Sequence, residues 1–312
     1  MGSVTGESSD LRNERKRGWQ NVMAEMAESE QRKGTLPSDP VRADLHTHTA
    51  YSDGALSPRE LVDRARTAGL SIISITDHDN VGALDEAIEY GKQTGVEVIP
   101  GLELSVAMGE KDVHVLAYFV DHKNQNLLDY LTFFRYERHK RAERIVEKLN
   151  RINIPIRFES VQEQAGVGSL GRPHIASVLV DEGFIDSYHE AFSKYIGVGG
   201  PAYEKKFQLG PEEAIRLVAQ AGGLSFLAHP GKYTSEVELL QLIKAGLDGI
   251  EVIHPSHNDL RQEHYRGLVN QYFLLESGGS DFHGGKKNDD YALGAFWVPV
   301  QVVQAMKKRL FP

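Results

Sequence analysis

Asp44 to Gly54 reads DLHTHTAYSDG, with His46 and His48 one residue apart and Asp53 in the glycine turn that follows. Alternate positions of an extended segment share a face, so two imidazoles spaced this way can reach one ion. In a chain with 13 histidines the motif is weak by itself. Its weight comes from companions: His78 in TDHD, Glu103 in GLEL, His114 in VHVL, His229 in AHP, and Asp281 with His283 in SDFH. Together with Asp53 these make six imidazoles and three carboxylates, too many ligands for one ion and enough for two or three. Neutral imidazoles leave three negative charges against four to six positive ones. A net positive centre of this kind binds a phosphate ester, polarises its P–O bonds and acidifies a water, which is the chemistry of phosphoester hydrolysis.

The elements that must hold these residues are legible as seven apolar, strand-like runs: VRADLHT, LSIISIT, VEVIPGLELSV, VHVLAYFV, GLSFLAH, GIEVIH and FLLESGGSD. Helical patterns alternate with most of them. LSPRELVDRARTAGL has Ser57 as N-cap, Pro58 at the first helical position and Gly69 as a stop. Strands alternating with helices of this length predict an α/β fold with a parallel sheet or barrel. Only the short AMGEKD stretch separates the third and fourth runs, too little for a parallel crossover, so an antiparallel hairpin is expected there and the barrel should be irregular. The ligand-type residues cluster at one end of the runs, and in a β/α barrel those ends share the face where active sites sit. His122, His139, His189 and His264 fall on helices or loops and read as surface residues.

Between about residues 121 and 203 the strand rhythm stops, which predicts a helical insertion within a barrel domain spanning 41–312. Residues 1–40 are polar and charged and read as a disordered extension. The absence of cysteine excludes disulfides and thiolate metal sites. With no apolar run of membrane-spanning length and no hydrophobic signal core, the expectation is a cytoplasmic protein without membrane partners. A formal net charge of −9 argues against a surface that coats long duplex nucleic acid.

HTHTAYSDG, ITDHD, GLEL, VHVL, LAHP and SDFH, in this order from about Ala43 to Gly294, resemble the metal-binding motifs of the PHP family of polymerase and histidinol phosphatase domains. The resemblance implies a distorted seven-stranded, TIM-like β/α barrel with two or three divalent ions, of which Mn, Fe and Zn all suit the ligand set. One ion would take His46, His48 and Asp281 and a second His114 and His229, with Glu103 bridging them. A third would take Asp53, His78 and His283. Glu103, Asp281 and His229 are expected to carry catalysis, by attack of a metal-bound hydroxide on phosphorus.

GRPHIASVLVDEGFIDSYHEAFSKYIGVGGPAY resembles the matching segment of small bacterial phosphoesterases that include nucleoside 3′,5′-bisphosphate phosphatases and 5′-to-3′ exoribonucleases. The resemblance places Arg172 and His174 at substrate phosphate. His254 and His257, just after the sixth run, are candidates for substrate contact at the same rim. Arg135 to Arg151 carries seven Lys/Arg against three Glu and reads equally as an RNA-following stripe or a solvated face. The expected substrate is a nucleoside 3′,5′-bisphosphate or a short 5′-phosphorylated RNA end. Histidinol phosphate or another small phosphomonoester is one alternative, and a non-catalytic metal-binding interaction module another. Gly166 to Gly171 satisfies G-x-G-x-x-G but lacks the preceding strand of a dinucleotide fold.

Overall fold

The computed structural model describes residues 40–109, 111–166, 170–207, 209–231 and 235–311. All seven runs are strands: β1 (Arg42–Thr47), β2 (Ile72–Ile75), β3 (Glu97–Met108), β4 (Lys111–Tyr118), β5 (Leu224–Leu227), β6 (Gly249–Ile253) and β7 (Leu275–Gly278). They form one sheet, nearly closed into a barrel, in the order β7-β6-β5-β4-β3-β2-β1-β8. The eighth strand was not foreseen. β8 (Val298–Pro299) is two residues long and pairs antiparallel with β1, too short to leave a periodic signal. On the ligand-bearing rim β1 also meets the chain beyond β7, through a parallel bridge between Thr47 and Phe282.

β3 and β4 form the expected hairpin, with Glu103 opposite Leu116 and Ser105 opposite His114. Because β4 runs against its neighbours, its beginning lies at the rim where the parallel strands end. That reversal is why His114, early in its strand, joins residues that close theirs.

Helices cover the sheet. α1 (Pro58–Thr67) starts at Ser57 in a capping box with Glu60, and α2 (Leu84–Thr94) stops at Gly95 in the left-handed region. The 27-residue α3 (Gln125–Arg151), α4 (Phe158–Ala165), α5 (Arg172–Asp181) and the short α6 (Tyr188–Glu190), which runs into a π-helical turn (Ala191–Ile196), make up the helical segment between β4 and β5. Its buried residues, among them Leu149, Val161, Ile175 and Ile196, form a hydrophobic core of their own beside those of the barrel. α7 (Pro211–Gln220), α8 (Glu236–Lys244), α9 (Asp259–Gln271) and α10 (Val300–Leu310) complete the chain. The expected N-terminal extension falls outside the described residues, as does the middle of the glycine motif, 167–169.

Candidate metal centre

Asp44, His46 and His48 alternate along the end of β1 and are all fully buried. Burying such groups is costly unless each has a partner, and here the partners arrive from other strands. His46 Nε2 and His48 Nε2 lie 3.1 Å apart. Glu103 Oε2 is 3.2 Å from the first and 3.3 Å from the second, and Asp281 Oδ1 is 3.2 and 3.1 Å from them. Ligand atoms about 2.1 Å from a common centre are about 3.0–3.4 Å from one another in octahedral or tetrahedral geometry, so these four atoms are spaced as edges of a coordination shell.

The other oxygen of Glu103 serves a second cluster. Its Oε1 is 2.8 Å from His114 Nδ1 and 2.9 Å from His229 Nε2, while His78 Nδ1 lies 3.3 Å from Oε2. Beyond His78 comes a third group. Asp53 Oδ1 is 3.2 Å from His283 Nε2 and 3.8 Å from His48 Nδ1, and Asp53 Oδ2 is 3.9 Å from His78 Nε2. Among the described residues three sets have ligand atoms close enough for an ion: His46, His48, Glu103 and Asp281; His78, Glu103 and His114; and His48, Asp53, His78 and His283. Eight of the nine expected ligands fall in these sets, with His48, His78 and Glu103 each shared between two; in the second set His78 stands where His229 was expected, and His229 joins through Glu103 Oε1 alone. His48 Nδ1, His78 Nδ1 and His114 Nδ1 are buried without an aligned hydrogen-bond partner. An orphaned buried polar atom costs about 1–3 kcal/mol, and a cation placed among these lone pairs satisfies them. The residues therefore fit divalent ions.

Electrostatics agree with the geometry. Burial pushes Glu103 up, yet His78, His114 and His46 around it hold its carboxyl well below the ordinary range. Asp281, also buried, is held well down by His46, His254 and His48. Burial opposes charge on His48, but Asp281 and Glu103 push it up to about 9, and His46 is raised by Glu251, Asp281 and Glu103 against the same burial. His78, where desolvation prevails over Glu103, is held well below the usual imidazole value. Asp79, His229 and Asp281 have left-handed backbones, with φ of 49°, 24° and 52°. Such conformations cost on the order of 1–3 kcal/mol each and concentrate at functional sites.

Four carboxylates that the sequence reading passed over hold these groups in place. Glu251 on β6, fully buried, accepts from His46 Nδ1 at 2.8 Å and from the His229 amide at 2.6 Å. With the proton on Nδ1, the Nε2 lone pair of His46 faces the centre. Asp77 accepts from the Thr49 amide and hydroxyl and from Ser52, fixing the turn that carries Asp53. Asp44 accepts from the amides of His46 and Ser280, and Asp289 from those of His283 and Gly285. The signal was present: Glu251 shares the inward alternation of its strand, and Asp77 and Asp79 flank His78.

His254 packs 5.2 Å from the His229 ring, with Nε2 3.6 Å from Asp281 Oδ2. Its Nδ1 accepts from the Ser256 amide at 3.0 Å, so the neutral ring carries its proton on Nε2, toward the centre. His257 differs. Its Nδ1 donates to Val252 O at 2.9 Å and its Nε2 accepts from the Gly231 amide at 3.0 Å, so both nitrogens are occupied by main chain and the ring braces the loop after His229. His174 accepts from the Gly171 amide through Nδ1, and burial, Arg138 and Lys286 lower its pKa while Asp53 partly offsets them.

Arg172 lies over the Phe192 ring and lines a small cleft with Arg138, Arg141, Leu170 and Gly171. Arg138 donates to Leu170 O and lies 3.4 Å from Asp79, whereas Arg141, buried, donates to Glu204 O. Burial together with Arg172 and Arg138 pulls the Arg141 guanidinium down to about 10. Lys206 is lowered by burial, partly offset by Asp112 and Asp79. The basic run of α3 is therefore divided. Arg138 and Arg141 face inward, while Lys140, Arg144, Lys148 and Arg151 pair with Glu143, Glu204 and Glu147.

Compared with known proteins, residues 44–200 match the PHP domain family model. The chain belongs to the PHP domain family and is a metal-dependent phosphoesterase. It is 32% identical over 247 residues to the 5′-3′ exoribonuclease Rnm of Escherichia coli, covering 77% of this chain and 84% of that one. To the 3′,5′-nucleoside bisphosphate phosphatase of Chromobacterium violaceum it is 32% identical over 77% of this chain and 86% of the other. A solved structure of a candidate metal-dependent phosphoesterase from Bifidobacterium adolescentis superposes with a TM-score of 0.75 at 32% identity, covering 87% of this chain and 98% of that one. Among the described residues no helix is long and apolar enough to cross a membrane.

Proposed function

We propose that the chain hydrolyses a phosphate ester on a ribose that bears a second phosphate: a nucleoside 3′,5′-bisphosphate, or the 5′-phosphorylated end of a short RNA. The observation that supports this most is the arginine cleft beside the metal groups. Among the described residues Arg138, Arg141 and Arg172 donate to main-chain carbonyls and to one carboxylate, Asp79, so the cleft carries an excess of positive charge, with Arg141 buried and the other two partly so. The cleft is too small to admit a phosphate, so the substrate's second phosphate would lie against the partly exposed guanidinium of Arg172, which can bind it bidentately. The relatives named above act on RNA ends and on nucleoside bisphosphates, and both kinds of substrate offer two phosphates on one ribose.

Two or three divalent ions, Mn, Fe or Zn, would supply the Lewis acid and lower the pKa of a water toward neutrality. His46, His48, Glu103 and Asp281 would hold one, Glu103 with His114 and His229 a second, and Asp53, His78 and His283 with His48 a third. Glu103, Asp281 and His229 fix the ligand shell on which catalysis depends, Glu103 by lending one oxygen to each of two groups. His254, with its proton on Nε2, donates to the reacting phosphate's oxygens or to the leaving oxygen. Arg172 and His174 grip the phosphate that is not cleaved. Tyr188, exposed and tilted against Phe192 with ring centroids 5.2 Å apart beside Arg172, offers a face for a base.

A hydrolysis panel with Mn tests the reading. Adenosine 3′,5′-bisphosphate and a 5′-phosphorylated RNA tetramer should turn over well, with the 5′-hydroxyl tetramer and histidinol phosphate far slower. Preference for histidinol phosphate would overturn it. Arg172→Ala should lose about 2–3 kcal/mol of transition-state binding, mostly as a raised KM, at unchanged metal content.

A further inference from the structure

The loop after β7 places a lysine among the metal ligands. Lys287 Nζ lies 2.6 Å from His283 Nε2 and 3.2 Å from Asp53 Oδ2. The tautomer of His283 is set from its other side, where Nδ1 lies 2.6 Å from the Asp281 carbonyl oxygen and donates to it. Nε2 therefore presents a lone pair, and the ammonium points at that lone pair and at the adjacent carboxylate. These are two of the ligands of the His48, Asp53, His78 and His283 group. One lone pair serves one partner at a time, an N–H donor or a cation, so an ion at this group and Lys287 exclude each other.

The loop is built to present the side chain without fixing it. Asp289 gathers the amides of His283 and Gly285, which sets the turn. Neighbouring Lys286 is tied to Gly54 O at 2.8 Å, while the side chain of Lys287 is half exposed and can swing outward. Neither of the other two ligand groups has a lysine on its ligand atoms among the described residues.

We propose that Lys287 is a tethered competitor for the ion at the Asp53–His283 group: its ammonium holds that group when the ion is absent and withdraws when one binds. This ion is then the most readily exchanged of the set, because an intramolecular competitor acts at high effective concentration. The inference rests on the reading, given above, that this group takes an ion.

Equilibrium dialysis of the chelator-stripped full chain against Mn(II) tests it through stoichiometry and stepwise affinity, independent of turnover. In Lys287→Met the weakest step should tighten by about tenfold or more while the tighter steps stay put, and Lys286→Met should match wild type. Reductive methylation of wild type, read by mass spectrometry, should label Lys287 more heavily with Mn present and leave Lys286 unchanged. Identical binding steps in wild type and Lys287→Met, an equal change in every step, or methylation of Lys287 indifferent to Mn would each overturn the proposal. The substrate panel separates the two readings. A chain that hydrolyses none of the offered esters yet shows the competition loses the proposed substrate and keeps Lys287, and active enzyme with unchanged binding steps loses only Lys287.

Discussion

At the scale of single residues, Glu103 and Glu251 illustrate two ways in which a buried carboxylate serves an ion. Glu103 lends one oxygen to each of two clusters, so Glu103→Gln should cost at least one ion per chain and nearly all activity. Elemental analysis of protein purified without chelator, alongside turnover, measures both. Glu251 touches no ligand atom that faces the centre, yet it sets the tautomer of His46 and holds the His229 main chain. Glu251→Gln should weaken metal binding by about 10–100-fold in a chelator competition, with all nine expected ligands still present. The candidate ligands were legible because imidazoles and carboxylates recur at strand ends. Glu251 was not, since an inward glutamate on a strand shows that it is buried without showing which histidine it meets.

At the scale of elements, the strands, the hairpin and the capped α1 were readable because period, turn length and N-cap chemistry are local properties. The inward face of α3 was not. Arg138 and Arg141 look like part of a solvated stripe until Leu170 and Glu204, brought back from farther along the chain, meet them. Charge reversal at Arg141 should therefore unseat the helical segment and impair mononucleotide and RNA substrates alike, rather than acting on RNA alone with a strong dependence on salt. Kinetics of Arg141→Glu on both substrates across ionic strength distinguish these outcomes. Close approach sets another limit between elements. A Cβ on Gly279 would lie 2.4 Å from the His46 amide nitrogen and 2.7 Å from Asp44 Oδ1. Gly279→Ala should force β1 from the β7 loop, destabilise the fold by about 1–3 kcal/mol and lower metal content, seen by thermal melting and elemental analysis.

At the scale of the whole molecule, the barrel and the helical segment keep separate cores, and chemistry depends on their apposition. Ile175, fully buried in the helical segment, is a site where that dependence can be probed. Ile175→Ala should cost about 2–4 kcal/mol, speed hydrogen exchange across α3 to α5, and raise KM while the β-strands and metal content are preserved. Composition could announce a helical segment here, but not that its core stands apart, because a hydrophobic pattern does not say which neighbour fills it. The chain order of the ligands has its own consequence. His78, Glu103 and His114 lie at or on three successive strands, whereas His46 meets Asp281, and Asp53 meets His283, only after most of the sequence has been made. During synthesis on the ribosome the His78, Glu103 and His114 set can close before His229 joins it, while the two that need the SDFH segment must wait for the chain beyond β7 to emerge. An ion held by those groups would therefore be taken up late, and a chain cut short before Asp281 would hold half-formed sites with no means of completing them.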